Sequence, residues 1–154
     1  MTANHHYHSH LAWTGTTGAG VTRYDREHRL VTPPARAEFA LSADPAFRGD
    51  PDLVNPEQLL LAAASSCQLL SFLAVAACAG IDVRRYEDDA EASMSEAEQP
   101  VRIGRIVLRP HIVVSGPAEV DEVRAAVQQA HETCYIANTL NAEMVLEPTI
   151  ERVP

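Results

Sequence analysis

A chain of 154 residues is long enough for one domain with its own core, and 46% hydrophobic against 21% charged residues excludes a disordered or fibrous chain. A formal net charge of −9 with no basic stripe excludes a nucleic-acid interface, because phosphate backbones require clustered Lys and Arg. A single domain over residues 1–154 is the expectation.

The opening "MTANHHYHSHLAWTG" lacks the charged start and apolar run of a signal peptide, which points to the reducing cytoplasm. There, Cys67, Cys78 and Cys134 are not a static disulfide framework, and their odd number leaves one unpaired. Polar and apolar residues alternate through "HHYHSHLAWTG", "GVTRYDREHRLV" and "RAEFALSA", predicting a meander of about three strands. His6, His8 and His10 would share one face of the first strand, as a metal chelate needs, although such a run near a terminus also fits exposed, frayed sequence. "SADPAFRGDPDLVNPE" is too rich in Pro, Gly and Asp for regular structure and reads as a loop.

Asn55 then suits an N-cap, Pro56 the first helical position and Glu57 the positive end of a helix dipole, and Gly80 suits a C-terminal stop. The helix predicted from about Pro56 to Ala79 is apolar on every side, so it belongs in a core that one small chain cannot cover alone. A membrane span is disfavoured by Ser65, Ser66, Gln68 and Ser71 and by the absence of flanking positive charge.

Beyond it, "DVRRYEDDAEASM" and "VRIGRIVLRPHIVVSG" predict two long strands of an antiparallel hairpin with one wet face. In "PAEVDEVRAAVQQAHETC", Val120, Val123, Val127, Ala130 and Cys134 recur at helical spacing, so an apolar stripe ends at a cysteine. "NAEMVLEPTIERV" predicts a last strand interrupted or ended by Pro148. The whole is an α+β chain with antiparallel sheets around a long central helix.

Cys67 and Cys78 are eleven residues apart on one helix, roughly 16 Å along its axis, and cannot bond to each other. Cys134 can meet Cys67 only if the second helix packs on the first. Cys78 reads as a small buried hydrophobe. A buried thiol is inert unless a cation stands near, and Cys67 lies beyond the first helical turn, so reactivity requires an imported charge. Arg23, Arg26, Arg29, Arg36 and Arg48 are the upstream candidates, and Arg48 stands out in the loop feeding the helix, where Glu57 could hold its guanidinium by a bidentate contact.

"NPEQLLLAAASSC", a long helix, a hairpin and a helix ending in "HETCYIANTL" together resemble the OsmC/Ohr family of thiol-dependent hydroperoxide reductases, in the OsmC-like branch. The resemblance spans nearly the whole chain. It implies an OsmC-like fold in an intertwined homodimer, with Cys67 as the peroxidatic and Cys134 as the resolving cysteine. It places Glu57 in the "NPE" motif and Arg48 in the preceding loop, acting in its own chain or across the dimer. It also implies an organic hydroperoxide as substrate, a Cys67–Cys134 disulfide, and an external dithiol reductant, a lipoyl-type dithiol being one candidate. No cofactor or metal is expected, since no phosphate loop, zinc-type Cys spacing or flavin fingerprint is present. The competing readings are a Cys134–His131 nucleophile pair, a metal site on the N-terminal histidines, and a non-enzymatic dimer that binds a small hydrophobic ligand or senses oxidants.

Overall fold

The computed structural model describes residues 4–154. The chain forms two compact units, the first ending at Leu59 and the second covering Leu60–Pro154.

In the first unit, β1 (His10–Ala12), β2 (His28–Val31) and β3 (Glu38–Leu41) form the expected antiparallel meander, with Leu11 opposite Leu30 and Leu30 opposite Phe39. The β1–β2 connection is pinned by aromatic contacts. The Trp13 indole N–H donates to the Asp25 carbonyl at 2.8 Å, its ring meets Tyr24 edge-on, and the Arg26 guanidinium lies 4.1 Å over the Tyr24 ring. After β3, a 3-10 turn (Pro45–Phe47) is capped by Asp44, whose carboxylate accepts the Ala46 N–H at 2.7 Å. Gly49 follows for a steric reason: a Cβ there would stand 1.6 Å from the Ala43 carbonyl oxygen.

The long helix α1 (Pro56–Cys78) starts and stops where its sequence signals lie. Asn55 Oδ1 accepts from the Gln58 N–H at 2.8 Å and Gln58 Oε1 from the Asn55 N–H at 3.0 Å, a reciprocal cap that satisfies two orphan donors. At the other end Gly80 takes φ 71°, Ile81 N–H donates to Ala76 at 2.9 Å and Gly80 N–H to Ala77 at 3.2 Å, a Schellman ending that closes the last carbonyls.

Both strands of the predicted hairpin are split. The first becomes β4 (Asp82–Asp88) and β5 (Glu91–Met94), and the second becomes β6 (Ile103–Leu108) and β7 (Pro110–Ser115). After them come the helices α2 (Val120–Thr133) and α3 (Tyr135–Thr139), then β8 (Glu143–Leu146) and β9 (Thr149–Val153), so Pro148 does interrupt the last strand. The strands sort into two mixed sheets, ordered β4-β7-β9 and β5-β6-β8, whose last strands add in parallel.

The split has a local cause. Pro110 has no N–H for the ladder, and the Asp88 carboxylate takes the Arg109 N–H at 2.7 Å. The register nevertheless carries through the break: the offset of 38 residues that pairs Arg105 with Glu143 also brings Arg109 to Glu147. Arg109 bridges the gap with ion pairs to Glu91 at 3.1 Å and Glu147 at 2.9 Å.

Within the second unit α1 serves two apolar clusters. Ala64, with Leu60 and Leu61, packs on Ile106 and Leu108 of β6 and on Ile136 of α3. About two and three turns further on, Phe72 and Ala76 pack with Ile112 and Val114 of β7 and with Val123, Val127 and Ala130 of α2. The buried stripe on α1 is narrow: Ala64, Gln68, Phe72 and Ala76. The single chain leaves the rest of the helix uncovered, as expected of a helix too apolar for one small chain: Leu70 is 64% exposed and Leu73, Ala74 and Ala77 also face outward. Cys78 is likewise exposed rather than a buried hydrophobe, because it falls off the four-residue row that meets the sheets. By length and composition alone α1 could cross a membrane.

Candidate functional site

Cys67 occupies α1 at the seam between the two clusters, one residue before the buried Gln68. It is partly buried, while Cys134 is fully buried, and both are free thiols. Cys134 sits at a junction of backbone directions: it closes α2, donating its N–H to the His131 carbonyl at 3.2 Å, and opens α3, accepting from the Asn138 N–H at 3.0 Å.

That junction aims unsatisfied N–H groups at sulfur. Burial alone would push the Cys67 thiol up. It is opposed by the Ile136 amide, the Cys134 thiol, the Tyr135 amide and the Ser71 hydroxyl, which all favour the thiolate, and Cys67 is held below the ordinary thiol value. For Cys134 burial dominates, the Ala137 amide offsets it only partly, and the neighbouring Cys67 adds to the rise, so this thiol stays protonated above the ordinary value. The two thiols are thus shifted in opposite directions, Cys67 toward the thiolate and Cys134 toward the protonated form.

The polar residues around Cys67 have assigned partners. Ser65 donates to the Asp88 carboxylate, which also holds Arg109, and Gln68 Nε2 donates to the Val127 carbonyl at 3.1 Å. Ser71 faces Cys67 itself.

The other two predicted site residues lie in the first unit. Arg48 is held at φ 67°, a conformation rarely tolerated by a side chain, with its N–H donating to Pro45 at 3.0 Å. Glu57 stands in the first turn of α1, and its Oε2 is buried without a hydrogen-bond partner. Among the described residues no ion pair joins Arg48 to Glu57, so the structure brings together Cys67 and Cys134 but not this second couple.

The groups that lower the Cys67 pKa are amides of α3 and two hydroxyl or thiol neighbours in its own unit. Sequence reading missed them because an amide carries no residue-type signal; the trace that was available is the short polar-ended run "YIANT" directly after a cysteine.

Two rival sites lose their geometry. His131 meets Cys134 through its backbone carbonyl, and its Nδ1 is buried without a partner, so the described hydrogen bonds contain no imidazole–thiol pair. The first strand begins only at His10, leaving His6 and His8 outside it, and among the described residues no three His, Cys, Asp or Glu side chains converge as a metal site would require.

A mixed α+β fold with one long helix, a cysteine at mid-helix and a second at a helix junction defines the class. The chain belongs to the OsmC family: the family model described as OsmC-like protein matches residues 49–149. It is 27% identical to an OsmC-like protein of unknown function from Vibrio cholerae, with a TM-score of 0.85 over 95% of this chain and 100% of that one. An organic hydroperoxide resistance protein from Elizabethkingia anophelis shares the fold at 17% identity, with a TM-score of 0.70 over 99% of this chain and 100% of the other. The uncharacterized protein YmaD of Bacillus subtilis is 23% identical over 154 residues, 97% of each chain.

Proposed function

We propose that this protein is a cysteine-based peroxidase that reduces organic hydroperoxides to alcohols. The observation that carries the reading is the ordered thiol pair, with Cys67 favoured as thiolate and Cys134 kept protonated beside it. The Cys67 thiolate displaces an alkoxide from the hydroperoxide, taking the distal oxygen to become a sulfenic acid, and the alkoxide leaves as alcohol after protonation. Cys134 attacks that sulfur, forming a disulfide and releasing water. An external dithiol then restores both thiols by exchange, becoming a disulfide itself.

In this reading Arg48 polarises the peroxide and Glu57 orients its guanidinium, from the same chain or from a second copy. The exposed row Leu70, Leu73, Ala74 and Ala77 is apolar surface suited to burial in a homodimer, and a cytoplasmic site of action fits thiols that must be reset. The test is a thiol count with intact mass before and after one equivalent of cumene hydroperoxide. Wild type should lose two thiols, and Cys134→Ser should stop at a Cys67 sulfenic or over-oxidised state. Consumption surviving in Cys67→Ser refutes the reading.

A second reading, a binder of a small hydrophobic ligand, is favoured by one observation: a cavity of about 710 Å³ in the first unit, lined by Leu11, Trp13, Val21, Phe47, Arg48 and Pro56. Trp13 is the only tryptophan, so a shift of its emission on adding an apolar probe reports occupancy.

A further inference from the structure

Gln68 is 1% exposed, and it occupies a position where packing alone would favour leucine or methionine. Four residues before it Ala64 belongs to one apolar cluster, and four residues after it Phe72 belongs to the other. Its Nε2 donates to the Val127 carbonyl of α2 at 3.1 Å, while its Oε1 is buried with no donor. An orphaned buried acceptor costs free energy that an apolar side chain of the same volume would avoid. The amide is therefore kept for its N–H, and the N–H for what it fixes.

What it fixes is set by helical spacing. Val127 and Cys134 are seven residues apart, two turns along one face of the α2 line, and Gln68 and Cys67 are consecutive on α1. The helices thus meet at two points: the amide on a carbonyl, and one thiol facing the other. The surrounding α1–α2 contacts mix the small side chains Ala76, Ala126 and Ala130 with the larger Phe72, Val123 and Val127. Apolar contact is non-directional and by itself tolerates small changes in helix rotation. A hydrogen bond does not.

We propose that Gln68 is a positioning residue for the thiol pair, its bond to Val127 setting the rotation of α1 that turns Cys67 toward Cys134 and the first amides of α3. This rests on Cys67 being the reacting thiol of the proposed peroxidase.

The experiment compares wild type with Gln68→Leu and Gln68→Met, reading thermal unfolding, the fraction of Cys67–Cys134 disulfide in oxidised and reduced dithiothreitol mixtures, and the pH profile of Cys67 alkylation by iodoacetamide resolved by peptide mass. Both variants should unfold at or above the wild-type temperature. In both, the effective concentration of the pair should fall roughly tenfold, because misplacement of reacting atoms is costly, and the Cys67 profile should move to higher pH. Unchanged thiol behaviour in folded variants overturns the proposal. So does a lowered unfolding temperature, or failure to fold, in both variants, which would make Gln68 a tie for the fold alone. Wild type that consumes no hydroperoxide, or that forms no Cys67–Cys134 disulfide, refutes the peroxidase reading instead, and the alkylation profiles then still decide on Gln68.

Discussion

Cys134 faces Cys67 from the point where α2 ends and α3 begins, so the residue that opens α3 also orders the amides that lower the Cys67 pKa. Alkylation resolved by peptide mass should therefore separate the two. Cys67 should reach half its limiting rate at a lower pH than an ordinary thiol, and Cys134 at a higher one. The linkage has opposite signs. The lowered Cys67 pKa adds stability that is fully present above the unfolded value and is lost as pH falls through the folded one. The raised Cys134 pKa adds stability that is present below the unfolded value and is lost as pH rises through the folded one. Chemical denaturation across this range should show Cys67→Ser losing the first component and Cys134→Ser the second.

Tyr135→Pro should test the amides directly. Position 135 is the first residue of α3, where proline is tolerated, and Cys134 already has φ −70° and ψ 116°, the region a residue before proline prefers. The variant removes one N–H from the Cys67 environment, so circular dichroism should stay near wild type while the Cys67 alkylation profile moves to higher pH. An unmoved profile would show that this amide does not act on the thiol.

Phe72→Ala should cost about 3–5 kcal/mol, since Phe72 has no exposed surface and lies where α1, α2 and the β4-β7-β9 sheet converge. Urea unfolding monitored by circular dichroism checks it, and a cost under about 1 kcal/mol would mean that this cluster is not the core of the second unit.

Leu70→Asp should leave the single-chain fold intact because the side chain points outward, 64% exposed. If the exposed row on α1 is a homodimer surface, sedimentation should show wild type as a dimer and the variant shifted toward monomer, since a charge buried there would be uncompensated. Identical sedimentation of the two would place any dimer contact elsewhere.

Local rules account for what the sequence by itself determined. The ends of α1 lie where Asn55, Gln58 and Gly80 put them, because caps are contacts between near neighbours, and the apolar row of α2 runs into Cys134 because helical spacing is a property of the chain alone. The three-strand meander and the interruption at Pro148 were legible for the same reason. So were Cys67 and Cys134 as a candidate couple.

Tertiary structure decided the rest. The hairpin breaks at Arg109 because Asp88 accepts its N–H, and β8 and β9 add in parallel through pairings dozens of residues apart, neither of which periodicity encodes. Cys78 was misjudged because composition shows that a helix is apolar, not which of its rows meets a sheet. The cause of the lowered Cys67 pKa was likewise beyond the sequence, since it depends on where the backbone amides of Tyr135 and Ile136 come to rest, and every residue except proline has such an amide.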